Sequence, residues 1–334
     1  MCMVNRNGGH GYAALAALCA GLFPCIGLLP ASAVAQAYPV RPVRMLVGFT
    51  SGSGADATAR AVGQKLSDVF GQPFIIENRV GASGTLATER VSQSQADGYT
   101  LLVMTGADTA QPALRAKLPY DLQKDFAPVS MLATGPLLLV VHAALPAQNV
   151  AELIALANAR AGKLNCGSAG VGTATHFAGA LFNLKTRVKT THVPFKGGVE
   201  SAVATAAGDI DMSFPGIPAA VPLLERGKLR ALAVTSAKRA TLLPVVPTLD
   251  ESGLRGYELV SWYGVSAPTG VSNEIITRLN AAIGKVVNVP AMKDWLIKQG
   301  FEPQTNTPAQ FAAFIGREIA QGAELVKATG LKVE

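Results

Sequence analysis

Apolar positions along this chain switch repeatedly between the spacing of a buried strand and that of a helix. Val43 to Phe49 is a short apolar run like a buried parallel strand, and Ala55 to Phe70 then sets Ala59, Val62, Leu66 and Val69 at helical intervals. Gly71-Gln72-Pro73 stops that helix. Phe74 to Ile76 repeats the strand pattern, and Gly81 to Gly84 forms a glycine loop. Thr85 to Ser94 reads as a helix, and Asp97-Gly98 turns the chain into a strand over Tyr99 to Met104. After the uninterrupted run Leu137 to Val141, Asn149 and Glu152 form a capping box for a helix over Val150 to Ala161. The same alternation then predicts strands at Leu164 to Cys166, Thr191 to Val193, Met212 to Phe214 and Leu229 to Thr235, with helices at Thr175 to Asn183 and Glu200 to Ala207. Ser261 to Ala267 predicts a return strand. Helices over Asn273 to Val287, Ala291 to Gln299 and Pro308 to Lys327 close the chain, the last with Thr307 and Gln310 as its capping box.

Strands alternating with helices imply an α/β protein with mostly parallel sheets and right-handed crossovers, whose ligands lie beyond the carboxyl ends of the strands. The amino end reads differently. Arg6 is its only charge, Ala13 to Leu29 is almost wholly apolar, and Ala33-Val34-Ala35 and Ala35-Gln36-Ala37 are small-residue cleavage sites, so residues 1–37 read as a secretory signal. Pro24 and Gly27 interrupt that run short of a membrane span, and no lipoprotein cleavage box surrounds Cys19 or Cys25. The expectation is a soluble periplasmic protein.

Cleavage there leaves about 300 residues, enough for two domains. The boundaries expected are a discontinuous first lobe over 38–136 and 268–334, and a second over 137–267 that includes the crossing strands. Cys166 is then the sole cysteine, so no intrachain disulfide is expected and stability rests on packing. The net charge of +7 is spread without basic runs or interleaved aromatics. That argues against nucleic acid and favours a small anion.

Two small-residue stretches, Thr50 to Ala57 and Gly167 to Thr175, each join a strand to a helix in different halves of the chain. Helix-start N–H groups lack intrahelical partners and sit at the positive end of the dipole, so the two loops together suit one anion held from both sides. Gly52 to Ala57 also fits a dinucleotide fingerprint, with Glu77 ending the next strand, but a lone fingerprint in an exported chain is a weak signal. No GxSxG occurs, and His142, His176, His192 and Cys166 lack metal-ligand spacing, so no enzyme activity, cofactor or metal is expected. An exported enzyme using the same cleft and a nicotinamide oxidoreductase are the alternatives. Asp56 either serves the helix dipole or binds a ligand ammonium or hydroxyl. His176 either faces a ligand carboxylate or packs beside Phe177, and we place it at the ligand. Lys196, in Pro194 to Gly198, steers acidic solutes or is merely solvated, and Trp262 with Tyr263 packs the hinge or walls the cleft.

The stretches VGFTSGSGADATAR, ENRVGASGT, ADGYTLLVM, GSAGVGTATH, HVPFKGG, GDIDMSF, LRALAVTS, PTLDESG and WYGVSAPTG resemble, in order and spacing, the extracytoplasmic receptors of tripartite tricarboxylate transporters, the Bug proteins. The resemblance spans residues 38 onward. It implies a type II periplasmic-binding-protein clamshell, a Venus flytrap, that captures a small carboxylate and delivers it to an inner-membrane permease. It also implies a monomer. The family's first loop reads PFxPGGxxD, and the matching positions here are Gly48 to Asp56, with Gly48 and Ser51 in place of prolines and Ser53 in place of the second glycine. Ala107 and Asp108 stand where the family often has Thr-His, which opens the ligand range to a dicarboxylate, an amino acid or an aromatic acid. The ligand-binding set expected is Phe49, Thr50, Ser51, Gly52, Ser53, Gly54, Asp56, Ala107, Asp108, Ser168, Gly170, Gly172, Thr173, His176, Phe195, Lys196 and Gly197.

Overall fold

In chain order, β1 (Val43–Val47), β2 (Phe74–Asn78), β3 (Thr100–Thr105) and β4 (Phe126–Pro136) enter one sheet. Strands β5 (Leu138–His142), β6 (Asn165–Ser168), β7 (Thr191–Pro194), β8 (Met212–Ser213) and β9 (Leu229–Val234) make a second. Then β10 (Val260–Pro268) and β11 (Glu302–Pro303) return to the first. The orders are β11-β4-β10-β3-β1-β2 and β7-β6-β8-β5-β9. This computed structural model describes residues 38–160 and 162–330, so the expected secretory signal lies outside the described residues.

Helices α1 (Gly54–Phe70), α2 (Thr85–Ser92), α3 (Gly106–Leu114), α4 (Val150–Ala159), α5 (Ala174–Thr186) and α6 (Gly198–Ala207) connect the strands. They are followed by α7 (Ile217–Glu225), α8 (Asn273–Asn288), α9 (Pro290–Lys298) and α10 (Pro308–Thr329). Successive strand residues point to opposite faces, so each sheet carries two cores. Val43, Met45 and Val47 pack with Val62 and Leu66 of α1 and Leu279 and Ile283 of α8, whereas Leu46 turns to the other face with Trp262, Phe311 and Ile315. In the second sheet Leu139 and Val141 meet Leu153 and Phe182, and Leu138 and Val140 meet Ile217 and Ala220. No helix among the described residues is long and apolar enough to cross a membrane.

Both sheets are mixed. β1 pairs in parallel with β2 and β3, and β6 with β7 and β8, as strand–helix alternation predicts. β5 and β10, which have no helix directly before them, pair antiparallel, and so does the short β11 with β4. β10 runs antiparallel to both β3 and β4, and β5 antiparallel to β8 and β9. The return strand read from Ser261 to Ala267 is therefore a strand of the first sheet. Leu137 alone separates β4 from β5, and Leu259 precedes β10, so the chain passes between sheets at these two points. Thr235 joins them: its Oγ1 accepts from Leu137 N at 2.8 Å, its N–H donates to Leu137 O at 2.9 Å, and its carbonyl accepts from Leu259 N at 3.0 Å.

Four elements escaped the sequence pattern: α3, β4, α7 and β11. Pro112 lies inside α3 and Pro222 inside α7, yet both helices form, with Ala110 and Leu114 of α3 and Ile217 and Ala220 of α7 packed in apolar clusters.

Candidate functional site

Five helices among those described begin at one cavity of about 290 Å³. Their N-caps, Ser53 of α1, Thr105 of α3, Thr173 of α5, Gly197 of α6 and Gly216 of α7, all line it. Each helix follows a strand, so the cavity lies at the carboxyl ends of both sheets, as the alternation predicts. Gly54 and Ala55, Ala174 and Thr175, and Gly198 and Val199 carry the first N–H groups of α1, α5 and α6, which precede any intrahelical acceptor, and all six residues face the cavity. Among the described residues, Lys196 is the only charged one in the lining. Converging positive dipole ends, one ammonium and no carboxylate suit this site to an anion.

Aromatic side chains form part of the wall, packed on the first residues of α1 and α3. Tyr263 and Phe301 meet edge to face at 5.3 Å, with Trp262 and Phe49 beside them. A Cβ on Gly54 would overlap the Tyr263 hydroxyl and reach the Phe301 ring, so glycine at this helix start is what admits the aromatic wall. Burial pushes the Tyr263 phenol up to about 12, so it stays neutral and able to donate. The Trp262 indole is turned away, donating to Glu318 at 2.7 Å.

Of the residues expected at the ligand, Phe49, Thr50, Gly52, Ser53, Gly54, Ala107, Thr173, Lys196 and Gly197 line this cavity. The others lie outside the lining. Asp56, 2% exposed, accepts from Gly52 N at 2.9 Å, Asn78 Nδ2 at 2.8 Å and Arg60 at 2.9 Å, and Ser51 Oγ lies 3.4 Å away. Burial pushes its carboxyl up, and the Arg60, Gly52 and Asn78 hydrogen bonds outweigh that, leaving it below the ordinary carboxylate value. Of the two roles weighed for Asp56, the geometry supports the structural one: it ties the first loop to α1 and β2. Asp108, also 2% exposed, completes a capping box with Thr105 and accepts from Thr88 Oγ1 at 2.6 Å. Burial holds its carboxyl above the ordinary value. Its charge is turned into the first sheet's helices, and only Ala107 of that pair reaches the cavity.

In the second loop, Ser168 Oγ bonds to His192 Nε2 at 2.7 Å and to the Gly170 carbonyl at 3.2 Å. Gly172 donates to His176 Nδ1 at 3.1 Å. The His176 ring stacks on His192 at 3.8 Å and beside Phe177, and does not line the cavity. Burial, then the neighbouring His192, lowers the His176 imidazole to about 4. Phe195 donates its N–H to Ser168 O at 2.9 Å and lies outside the lining. Glu77, the acid expected of a dinucleotide fingerprint, is paired with Arg44 at 2.9 Å and is likewise outside it.

Gly216, Pro218, Gln299, Phe301, Thr105 and Gly106 line the cavity without having been singled out in the sequence. Two signals for them were present. Thr105 and Asp108 have capping-box spacing, and Gly216-Ile217-Pro218 has the proline expected in a first helical turn. Gln299 and Phe301 carried none, since they arrive through β11 pairing with β4.

Two α/β lobes joined by crossing strands, with helix starts from both facing one cavity, define the class of two-lobed solute-binding proteins. The comparisons with known proteins narrow it. The model of the tripartite tricarboxylate transporter family receptor matches residues 58–331. Protein BugT of Bordetella pertussis is 34% identical over 316 residues, covering 94% of this chain and 97% of BugT. The structure of R. palustris Rpa4515 with adipate superposes with a TM-score of 0.84 at 37% identity, covering 88% of this chain and 99% of that one. MatC (Rpa3494) from Rhodopseudomonas palustris with bound malate gives 0.80 at 33% identity, covering 86% and 100%. The chain belongs to the tripartite tricarboxylate transporter receptor family.

Proposed function

We propose that this protein is a periplasmic receptor that captures a small organic carboxylate between its lobes and hands it to an inner-membrane permease without chemical change. The observation that carries the reading is the convergence of five helix N-termini from both sheets on a cavity whose only charged lining residue, among those described, is Lys196. Backbone N–H groups of α1 and α3 from one lobe and of α5, α6 and α7 from the other hold the carboxylate, and the Tyr263 and Phe301 rings cover its apolar body. The adipate and malate bound by two structurally similar relatives support this ligand class. The lobes are the two sheets with their helices, and residues 1–37 direct export. The protein acts as a monomer.

A ligand that touches both lobes favours their closed arrangement by its differential contacts. The test is a thermal-shift and calorimetric screen of adipate, malate, aromatic acids and amino acids on refolded protein, with NAD as a control. We expect one or more carboxylates to stabilise the protein by about 2.7 kcal/mol at a hundredfold excess over Kd, and to be recovered unchanged. Turnover of the bound acid, or protection by NAD alone, rejects the receptor reading.

A further inference from the structure

The turn between β2 and α2 bridges the two lobes beside the ligand cavity, and its backbone is unusual. Ala82 and Ser83 both occupy the left-handed region, at φ 48° and 56°, flanked by Gly81 at 146° and Gly84 at 96°. Two successive non-glycine residues there are unfavourable and persist only where the surroundings impose them. On the first-lobe side the turn is fixed. A Cβ on Gly48 would overlap Gly84, Thr88 Oγ1 accompanies the Gly84 carbonyl at 3.3 Å, and the same hydroxyl donates to Asp108 at 2.6 Å, which caps α3 at the cavity. On the other side Ser83 Oγ donates to the carbonyl of Val171 at 2.8 Å, in the second lobe's glycine loop. The next residue of that loop, Gly172, abuts Leu114 and Gln111 of α3, and Phe177 packs with Ala110 and Leu114 close by.

We propose that Ser83 is a positioning residue for closure: its hydroxyl latches the second lobe's ligand loop to the first lobe, so that it raises ligand affinity without touching the ligand. The left-handed turn aims the hydroxyl across the lobes, and the Thr88–Asp108–Thr105 network transmits the latch to the helix start that faces the cavity. The latch rests on the clamshell reading above, but its effect on the lobes requires no ligand.

The experiment places fluorophores on cysteines introduced at Lys65 of α1 and Arg226 after α7, and reads the interlobe distance by single-molecule energy transfer. Cys166 stays unlabelled because it is buried and its thiol is pushed up to about 12. Without ligand, Ser83→Ala is expected to shift the distribution to longer distances. Ser83→Asn, which tolerates the left-handed region and keeps a donor, is expected to restore it. With adipate or malate as probe, Ser83→Ala is expected to release ligand about fivefold faster, with little change in association rate. Distance distributions of Ser83→Ala that coincide with the parent overturn the latch. So does a fall in melting temperature shared by Ser83→Ala and Ser83→Asn with no change in distance, which marks a merely structural residue. If neither acid binds the parent protein, the ligand assignment fails, and the latch still stands or falls on the distances.

Discussion

Asp56 and Asp108 show how one residue type at two helix starts is used in opposite ways. Each sits in a first turn beside a ligand loop, and neither faces the cavity. Asp56 has a guanidinium and two N–H donors, so its ionised form is favoured. Asp108 has only Thr88 and Thr105 as donors, so burial dominates and its neutral form gains. The imidazole of His176 is the clearer pH probe. Its folded value, about 4, lies below the ordinary 6.5, so the unfolded chain binds the proton more readily. Stability is therefore fully present above the unfolded value and is lost as pH falls from about 6.5 through about 4, by up to roughly 3 kcal/mol. Denaturant titrations across that window should show the loss, and His176→Gln should flatten it.

Helix starts, and what is allowed to sit on them, decide the site at the next scale. The first residues of α1, α5 and α6 are Gly54, Ala174 and Gly198, small enough for a ligand to approach the N–H donors. Gly54 has a second duty, since Tyr263 packs onto it. Gly54→Ala should raise the Kd for a bound carboxylate by at least about tenfold by displacing that ring. Fold stability should fall by no more than about 2 kcal/mol. Calorimetry with adipate and a denaturant melt separate the two effects. An equal loss of affinity and stability would place Gly54 in the fold and not in the site. The elements themselves were largely legible. Strand-helix alternation located β1, α1, α5 and the long tail helices; the N-cap Asn149 marked the start of α4, where Glu152 bonds Gln148 N instead of closing a capping box, and the capping box at Thr307 marked the start of α10. β4 was not legible, because Pro128, Ser130, Thr134 and Gly135 break its apolar run, and its strand character comes from pairing with β10 along its whole length.

The two lobes meet through a hinge that is one residue wide on the outward path. Leu137 and Leu259 carry the chain between sheets, and Thr235 hydrogen-bonds to both. Thr235 is fully buried, so Thr235→Val leaves the Leu137 N–H without its side-chain acceptor. The expected cost is about 2 kcal/mol, read by denaturant unfolding. The expected functional effect is a broader range of lobe separations in small-angle scattering of the unliganded protein. Unchanged scattering with reduced stability would show that Thr235 holds the second lobe together without governing the hinge.

Local chemistry was enough to determine that the chain is α/β and that glycine loops open into helices on both halves. These follow from periodicity, capping and turn residues, which act within a few positions of one another. Tertiary structure alone decided which loops converge. It brought α3 and α7 to the cavity, turned Asp56, Asp108 and His176 into supports behind it, and carried in Phe301, which precedes β11. The contact of Gly54 with Tyr263 spans more than two hundred residues, and the supports behind the cavity depend on which side chains burial turns inward, so local spacing does not fix either.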